Sequence, residues 1–469
     1  MTSNGIAQHD VKRRIPVDNG LLYRRRARRS DVLVTMFWAS GAVSAALFLS
    51  IGGAAQFGSL AEALTSLGII SGLVGTDFIL VMLVLAARVP IIDRTVGHDR
   101  AMAVHRRLGK PALYLLLAHG LLLLAGYGAA SGFDPVAWVV DMWSLPDLPL
   151  AFLGLGLLVT VVVTSLVAVR RHFSYEAWHI VHLLSYLAVA VAIPHQLSNG
   201  QVLAENSVQR VYWISLYVAA FGSILFYRFI EPIVSSLRHN LRVARVDVIA
   251  PGVTSIQLTG RGLSRLGAAG GQFFVWRFLT ASTWWHAHPI SLSATPTDTA
   301  LRITVRDLGE GSARISTVRV GARVWFEGPY GLFTPAARTA PKLAVLAAGI
   351  GITPARALLE QSRLVPGEAT VLLRGSSENE TYLWDEMSAI AERTGSTLYR
   401  MVGARSSRTP TWRTEAEDRR GVTLRSAFPD LLDSDLYVCG PTAWLDSVEA
   451  EAIAAGLPRH QLHTERFDW

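Results

Sequence analysis

Long apolar segments fill the first half of the chain, whereas the second half alternates between short apolar and polar runs. The long segments lie at about residues 31–52, 67–88, 104–126, 150–170, 178–198 and 210–230. Each is long enough to cross a hydrocarbon layer of about 30 Å as a helix. The pattern predicts a membrane α-helical bundle of six transmembrane helices over residues 31–235.

Positive charge is distributed unevenly among the loops between these segments. Arg88 and Arg94 follow the second segment, and Arg170 and Arg171 follow the fourth. The loops without Lys or Arg lie at about 53–66, 127–149 and 196–209. Because Lys and Arg favour the cytoplasmic side, we expect a multi-pass plasma (inner) membrane protein. Both termini, the basic tail at residues 1–30 and the second half would be cytoplasmic.

Two of the apolar segments carry histidine pairs at matching spacings. His105 and His119 are fourteen positions apart, and His182 and His195 are thirteen apart. Both separations are close to four helical turns, so each pair lies near one helix face. Imidazole pairs are axial ligands of haem iron, and the spacing predicts two stacked haems, held by His105/His182 and His119/His195. His179 is the alternative to His182, and helix packing or a proton relay is the alternative role for the whole set.

The second half of the chain changes character twice. From about Asn240, alternating runs separated by Gly and Pro predict an antiparallel β-barrel domain over residues 238–338. After Pro341, the apolar run KLAVLAA leads into a glycine-rich turn and a helical stretch. This order predicts a Rossmann-like α/β domain over residues 340–469.

Composition narrows the possible functions. Hydrophobic residues make up 51% of the chain and charged residues 17%. A single Cys excludes intrachain disulfides and CxxC redox motifs, so redox chemistry must use cofactors. The net charge of +8 lies mainly beside the membrane segments, and we expect no nucleic-acid partner. Without a Walker-type phosphate loop, a nucleotide-driven transporter is disfavoured.

Short motifs in the second half point to nucleotide chemistry. The strand His288–Ser293 (HPISLS) offers small hydroxyls that let a flat ring and phosphates approach. The turn Gly349–Pro354 (GIGITP) lies between a strand and a helix, where backbone N–H groups can meet a pyrophosphate. Cys439 and Gly440 end a later strand, at the edge where open α/β sheets bind ligands. A plain strand and a buried structural Cys are the alternatives.

The joint order of these features resembles the ferric reductase and NADPH oxidase superfamily. The resemblance covers about residues 31–469: a ferric reductase-like transmembrane domain, then a ferredoxin–NADP reductase-type flavin and nucleotide module. It implies FAD, two b-type haems and NADPH as cofactors, with NADH as the alternative to NADPH.

The resemblance also implies individual roles. The flavin-binding strand would be His288, Pro289, Ile290, Ser291, Leu292 and Ser293. The FAD pyrophosphate turn would be Gly309, Gly311 and Ser312. The nicotinamide nucleotide would bind Gly349, Gly351, Thr353 and Pro354. Cys439 and Gly440 would lie beside the nicotinamide during hydride transfer. Phe467 would cover the flavin, with Trp469 as the alternative.

Two choices within the family remain open from the sequence. Arg374, Arg405, Ser406 and Arg408 could bind a 2′-phosphate, which favours NADPH over NADH. The resemblance implies an arginine near the outer haem in superoxide-producing members, but the outer loops here offer no cation before Arg210. Ferric chelate is therefore favoured over oxygen as acceptor, and a protein acceptor is a further alternative.

These observations lead to one hypothesis and one competitor. We expect a transmembrane oxidoreductase that passes electrons from cytosolic NAD(P)H through FAD and two bis-His haems to an extracytoplasmic acceptor. The alternative is a haem-free, membrane-anchored flavin reductase that acts on a cytosolic electron acceptor.

Overall fold

The computed structural model describes residues 19–131, 134–199, 201–205, 207–280, 283–407 and 411–467. They divide into two compact units. One is Arg29–Glu231, called here the membrane unit. The other, called the soluble unit, comprises Pro232–Trp469 and Met1–Arg28, as far as these ranges are described. Trp469 and Arg408, both named above, lie outside the described residues.

Long helices dominate the membrane unit. Its helices are α1 (Asn19–Ser50), α2 (Leu60–Ala86), α3 (Pro90–Val96), α4 (His98–Ser131), α5 (Pro135–Ser144), α6 (Leu148–Ser165), α7 (Val167–Arg170), α8 (Tyr175–Asn199) and α9 (Val208–Leu225). After α9 the chain continues through a π-helical turn, Phe226–Ile230, into α10 (Glu231–His239). Within the described residues, six helical segments are long and apolar enough to cross a membrane, which confirms the predicted number.

Helix α1 and helix α2 both begin earlier than the apolar pattern predicts. Helix α1 starts at Asn19, within the predicted basic tail, because Leu and Arg are strong helix formers even without an apolar face. Helix α2 starts at Leu60, since Ser59 and Glu62 cap it reciprocally. Such capping satisfies two backbone N–H donors at a helix start. Hydropathy therefore locates each span but not the true helix end.

Glycines allow close helix packing in the membrane unit. A Cβ atom at Gly72 of α2 would lie 2.5 Å from the His119 ring of α4. At Gly75 it would lie 3.1 Å from Leu115 of α4, and at Gly154 of α6 it would lie 2.8 Å from the carbonyl of Ala188. Small residues of this kind let helix backbones approach in a bilayer. Helix α2 is thus fitted to α4, and α6 to α8.

The first part of the soluble unit is an antiparallel β-structure, as predicted. Its strands are β1 (Arg242–Ala250), β2 (Val253–Thr259), β3 (Phe273–Phe278), β4 (His288–Ser291), β5 (Ala300–Arg306) and β6 (Val324–Tyr330). They form two three-stranded sheets, β1-β2-β5 and β4-β3-β6, and a bridge between Leu292 and Ile303 connects them. Buried aromatic residues such as Trp276 and Phe326 fill the interior. Helix α11 (Glu310–Ser316) lies between β5 and β6 in the chain.

The second part is a five-stranded parallel sheet. Its strands are β7 (Lys342–Ala348), β8 (Ala369–Gly375), β9 (Thr397–Val402), β10 (Ser434–Gly440) and β11 (Leu462–Arg466). Its helices are α12 (Ile352–Gln361), α13 (Trp384–Thr394), α14 (Glu415–Arg419), α15 (Leu424–Ala427) and α16 (Thr442–Ala454). The strand order is β11-β10-β7-β8-β9, so the topology reverses between β7 and β10. Open parallel sheets bind ligands at such a switch point.

Candidate functional site

The structure brings two of the four predicted haem ligands directly together. The rings of His105 on α4 and His182 on α8 have centroids 6.2 Å apart. Two imidazoles bound to opposite sides of one metal, each by a bond of about 2 Å, would have ring centres about 6 Å apart. His179, the alternative to His182, is exposed and contacts Trp178. The spacing between His105 and His182 therefore fits a shared metal.

Backbone carbonyls of α2 hold the two histidines of α4. The Nδ1 atom of His105 donates to the Met82 carbonyl at 3.1 Å. The Nδ1 atom of His119 donates to the Gly68 carbonyl at 2.8 Å. Because a carbonyl can only accept, we assign the proton to Nδ1 in both rings, which leaves the Nε2 lone pair to bind a metal. This is the arrangement expected of metal-ligating histidines, and the donor set fits haem iron.

The second predicted ligand pair consists of His119 on α4 and His195 on α8. The two side chains are close enough to interact electrostatically. His195 directly follows Pro194 inside α8, and a proline leaves the carbonyl four residues earlier without its helical partner. Within the described part of the chain, no group of three or more His, Cys, Asp or Glu could hold a metal ion.

Strand β4 presents unpaired polar atoms, as a ligand-binding strand should. The Ser291 hydroxyl and the His288 Nε2 atom are buried and meet no hydrogen-bond partner among the described residues. Buried polar atoms without a protein partner commonly pair with a ligand or with water. Burial, with a smaller contribution from His286, lowers the pKa of His288 to about 4, so its ring is neutral at pH 7. These atoms fit a polar, ring-containing ligand such as FAD.

Other members of the predicted flavin strand are engaged within the protein. The Ser293 hydroxyl accepts hydrogen bonds from Arg302, at 3.2 Å, and from Thr304, at 2.9 Å. Leu292 is fully buried in the barrel interior. Pro289 and Ile290 are half-buried on β4. Among the six predicted residues, His288 and Ser291 thus keep side-chain polar atoms that have no protein partner and could bind a ligand.

The predicted pyrophosphate turn adjoins β4. A Cβ atom at Gly311 would lie 3.0 Å from the His288 ring. The Ser312 hydroxyl accepts from the Leu308 amide at 2.8 Å and donates to the Gly309 carbonyl at 2.9 Å. The turn is therefore closed by its own side chain. The amides of the first turn of α11, including that of Gly311, have no intrahelical acceptor.

The predicted nucleotide-binding motifs lie together at the switch point of the parallel sheet. Gly351, which follows β7, lies against the end of β10, where a Cβ atom would be 2.3 Å from the Cys439 carbonyl. Gly349 has a φ of +55°, in the left-handed region that favours glycine. The Thr353 hydroxyl donates to the Ile350 carbonyl at 2.9 Å, and Pro354 is buried in the first turn of α12. The loop thus requires glycine both for its conformation and for its approach to β10.

Cys439 is fully buried beside a carboxylate that the sequence analysis missed. Burial, reinforced by Glu465, raises the pKa of the Cys439 thiol, so the thiol is protonated at neutral pH and unsuited to acid–base work. Glu465 of β11 is opposite Cys439 in register and is itself buried. The feature of the sequence that could have pointed to Glu465 is its position two residues before Phe467. Phe467 is half-buried and packs against the cluster containing Cys439.

The residues predicted to select NADPH lie at the carboxyl ends of β8 and β9. Arg374 is buried and donates to the Gly403 carbonyl at 3.0 Å. Burial and the charge of Arg405 lower the pKa of Arg374, so two cations lie near each other here. Arg405 donates to the carbonyls of Thr411 and Ala443, and the Ser406 hydroxyl donates to Asp418 at 2.8 Å. The two arginines are positively charged, but they and the Ser406 hydroxyl already have hydrogen-bond partners within the protein.

Comparison with known proteins agrees with both parts of the fold. Residues 71–193 match the family model described as ferric reductase like transmembrane component. A flavohemoprotein of Xylella fastidiosa (strain Temecula1) is 29% identical over 212 residues, which cover 42% of this chain and 50% of that protein. Ferredoxin–NADP reductase B of Sorangium cellulosum is 30% identical over 183 residues, which cover 36% of this chain and 71% of that protein.

A solved structure is similar to the second half of the chain. The flavohem-like FAD/NAD binding domain of nitric oxide dioxygenase from Vibrio cholerae is 22% identical, with a TM-score of 0.39. The match covers 49% of this chain and 98% of that one. The chain spans about half the length of the curated relatives it matches first.

The apolar helices and the match to ferredoxin–NADP reductase B define a membrane protein that carries a ferredoxin–NADP reductase-type flavin and nucleotide module. Together, the matched transmembrane component and this module support a fused architecture of the ferric reductase and NADPH oxidase type.

Proposed function

We propose that this protein is a transmembrane oxidoreductase that passes electrons from cytosolic NAD(P)H, through FAD and two bis-His b-type haems, to an extracytoplasmic acceptor. The observation that carries the proposal is the inner histidine pair. The rings of His105 and His182 are 6.2 Å apart, and the His105 Nδ1 atom is bonded to a carbonyl of α2. That combination fits two histidines that bind one shared metal better than it fits simple helix packing.

The chain's own residues hold the cofactors and limit what can react. When bound, FAD accepts a hydride from NAD(P)H and releases electrons singly to haem iron. Each histidine pair would hold one haem iron through two imidazoles, which would disfavour direct binding of oxygen. His288 and Ser291 would bind the flavin through their unpaired polar atoms. Gly351 and Gly440 would let a nicotinamide nucleotide approach the switch point.

The nucleotide preference follows from charge. Arg374 and Arg405 place two cations near the ends of β8 and β9, which favours the 2′-phosphate of NADPH over the ribose hydroxyl of NADH. Their hydrogen bonds to backbone carbonyls leave the charge itself available to an anion. We propose NADPH as the preferred donor and NADH as the weaker one.

The acceptor follows from the outer ends of the helices. Arg210 is the first cation of the outer loops, and its guanidinium contacts the Leu203 carbonyl at 3.4 Å. With so little positive charge to attract or hold superoxide, we propose ferric chelate as the acceptor, reduced without direct ligation to iron. Ferrous production and superoxide yield, measured in one assay on the purified protein, distinguish this acceptor from oxygen.

The test of the proposal uses the substitution His119→Leu in protein reconstituted into vesicles. The substitution removes an outer ligand, and we expect flavin reduction by NADPH to continue while reduction of an impermeant external acceptor stops. The reduced-minus-oxidised spectrum should lose about one of two b-type haem signals. His179→Leu is the matched control and should keep both signals. Unchanged transmembrane reduction in His119→Leu, or no haem signal in the wild type, would refute the proposal and favour the haem-free reductase.

A further inference from the structure

A carboxyl group lies buried in the membrane unit, away from the histidine pairs. Asp77 is near the middle of α2 and is 1% exposed. Ser40 of α1 donates to its Oδ1 atom at 2.5 Å. Ser44 of α1, which is fully buried, adjoins the same carboxyl. Ionisable side chains inside a membrane are costly and commonly serve a function.

Two oxygens in the cluster of Asp77, Ser40 and Ser44 lack the hydrogen bonds expected of buried polar atoms. The Asp77 Oδ2 atom and the Ser44 hydroxyl are both buried and meet no partner of ordinary geometry among the described residues. A buried acceptor or donor without a partner destabilises the folded protein. A proton on Oδ2 would turn that oxygen into a hydrogen-bond donor, and the adjoining Ser44 hydroxyl could accept this hydrogen bond. One added proton would therefore satisfy both unpaired atoms.

No cationic side chain of the described residues neutralises Asp77. Its interactions are with Ser40 and Ser44, and α1 has no ionisable residue between Asp31 and Ser50. Helix α9, which also packs against α2, carries the ionisable residues Arg210, Tyr212 and Tyr217. The Tyr217 hydroxyl donates to Gln196 instead. The balancing charge must come from a proton or from a charge elsewhere in the unit.

A metal cation suits this site less well than a proton. Hard cations such as Mg²⁺ and Ca²⁺ take about six or more oxygen ligands. Asp77, Ser40 and Ser44 together offer four side-chain oxygens. The space beside the carboxyl is also small, since a Cβ atom at Gly41 would lie 3.7 Å from Oδ2. A proton needs one oxygen and one acceptor, and both are present.

The carboxyl lies between the levels of the two histidine pairs. On α2, Gly72 contacts the His119 ring and the Met82 carbonyl binds His105. Asp77 is five residues from each, or about 7.5 Å along the helix axis. It points towards α1, the opposite side from α4. A charge on Asp77 would act on both histidine pairs through low-dielectric surroundings, where electrostatic interactions are strong.

We propose that Asp77, with Ser40 and Ser44, is an intramembrane proton-binding site that takes up a proton when electrons enter the α4–α8 helix pair. The coupling rests on the proposed function; the binding of the proton does not. With the metal centres oxidised, their positive charge balances the Asp77 carboxylate. An arriving electron cancels that charge, and the carboxylate then takes a proton from water, forming one O–H bond. When the electron leaves, the proton returns to water.

The test is infrared difference spectroscopy of the full-length protein in lipid, oxidised minus reduced, in H₂O and in D₂O. We expect reduction to produce a carbonyl band of a protonated carboxylic acid that shifts in D₂O. Asp77→Asn should abolish this band, and Ser44→Ala should shift its frequency by removing the acceptor. Asp141→Asn, which alters an exposed carboxyl, is the matched control and should leave the band unchanged.

A second measurement makes the test independent of how well Asp77→Asn folds. The haem midpoint potential of the wild type should fall as pH rises, and in Asp77→Asn this dependence should disappear while the haem spectrum is retained. Ser44→Ala should alter the pH range of the dependence. A haem-containing wild type without an Asp77-dependent band, or with the same pH dependence in Asp77→Asn, would overturn this proposal alone. A wild type without any haem signal would instead contradict the proposed function.

Discussion

The two units hold their candidate sites in different ways. In the membrane unit, His105 and His119 lie on one helix, α4, and each is fixed by one hydrogen bond to a carbonyl of α2. In the soluble unit, the candidate residues come from the ends of several strands. A network of ion pairs around one buried arginine joins Ser293, at the end of the predicted flavin strand, to α12, the helix that follows Gly349–Gly351.

That network centres on Arg356 of α12, which is buried. Its guanidinium donates to Glu386 of α13 at 2.5 Å, to Glu360 at 2.9 Å and to the Ser293 carbonyl at 3.0 Å. Arg302 of β5 donates to the same Ser293 carbonyl and to Glu386. Burial opposes ionisation of Glu386, but the hydrogen bond from Arg302 and the charge of Arg356 outweigh it and lower its pKa.

The difference between the units has a mechanical consequence. A helix fixes its own geometry through local hydrogen bonds, so a ligand on a helix needs only one additional contact to set its ring. Strand-end loops have no such internal order, and their relative position depends on long-range ion pairs. We therefore expect single changes in the membrane unit to act on one cofactor, and changes in the soluble network to act on several properties together.

The largest expected effect tests the first half of this comparison. In Gly72→Val, the new side chain would overlap the His119 ring, since even a Cβ atom lies 2.5 Å from it. The ring would have to leave its bond to the Gly68 carbonyl. We expect loss of about half the bound haem and of transmembrane reduction, with FAD content unchanged. The haem-to-FAD ratio measures this directly.

Gly156→Val on α6 is the control for that substitution. A Cβ atom there meets nothing within 4 Å, so the variant keeps the same helix-propensity cost without the clash. It should retain the full haem-to-FAD ratio. Equal haem content in both valine variants would mean that the contact with α2 does not set the position of His119.

Spacing and motif order were sufficient to predict much of this architecture. Apolar runs longer than about eighteen residues predict spans irrespective of tertiary detail, and the six predicted spans are confirmed. The motifs around Gly349 and Cys439 end parallel strands, so the topology alone brings them to one edge of the sheet. His105 and His182 lie on separate helices, and only the fold showed that His182 rather than His179 faces His105.

Other features could not be predicted because they depend on tertiary contacts. Gly72 is one of many glycines in an apolar helix, and only the approach of α4 makes it essential. Arg356 resembles any helical arginine until α13 and Ser293 surround it. Glu465 acquires its place beside Cys439 through the pairing of β10 with β11. In each case the residue is known from the sequence, but the neighbour that gives it a role is known only from the folded structure.

The next largest effect is expected in the soluble unit, at the centre of its ion-pair network. Arg356→Met removes the centre of the network. Glu386 and the Ser293 carbonyl then keep Arg302 as a donor, and Glu360 keeps the Thr295 amide. Arg356 is buried but Glu386 is 37% exposed, so the cost lies between the value for an exposed pair, at most about 1 kcal/mol, and the value for a buried pair, about 3–5 kcal/mol. We expect a lower unfolding temperature together with slower flavin reduction by NADPH, measured by thermal FAD release and by stopped-flow absorbance. Haem content should not change.

Two further variants separate positioning from simple destabilisation. Arg356→Lys keeps one charge and should recover part of the flavin-reduction rate. Arg314→Met breaks an exposed pair with Glu310, and exposed pairs contribute at most about 1 kcal/mol. A loss of rate as large in Arg314→Met as in Arg356→Met would count against the special role of the network.

A smaller and more selective effect is expected at the nucleotide loop. Gly351→Ala would bring a Cβ atom to 2.3 Å from the Cys439 carbonyl, so the loop must move away from β10. We expect the KM for NADPH to rise by roughly tenfold, corresponding to about 1.4 kcal/mol, while FAD content and chemical reduction by dithionite stay normal. Steady-state kinetics measures the change. Thr353→Ala, which adds no volume, should have a weaker effect, and equal effects would argue against the close approach.

The smallest expected effect concerns His288 and pH. Burial lowers its pKa to about 4 in the folded protein, whereas an unfolded histidine has a pKa of about 6.5. Between these values the unfolded chain binds more protons, so stability should fall as pH decreases from 6.5 towards 4 and should be insensitive to this group above pH 7. The temperature of FAD release should follow that course in the wild type. In His288→Gln the decrease should be smaller over the same range, whereas haem absorbance, which reports on the membrane unit, should respond equally in both proteins. If His288→Gln and the wild type lose FAD in parallel from pH 7 to pH 5, then His288 is not the buried neutral ring of the flavin strand. The soluble unit would then owe its acid sensitivity to another group.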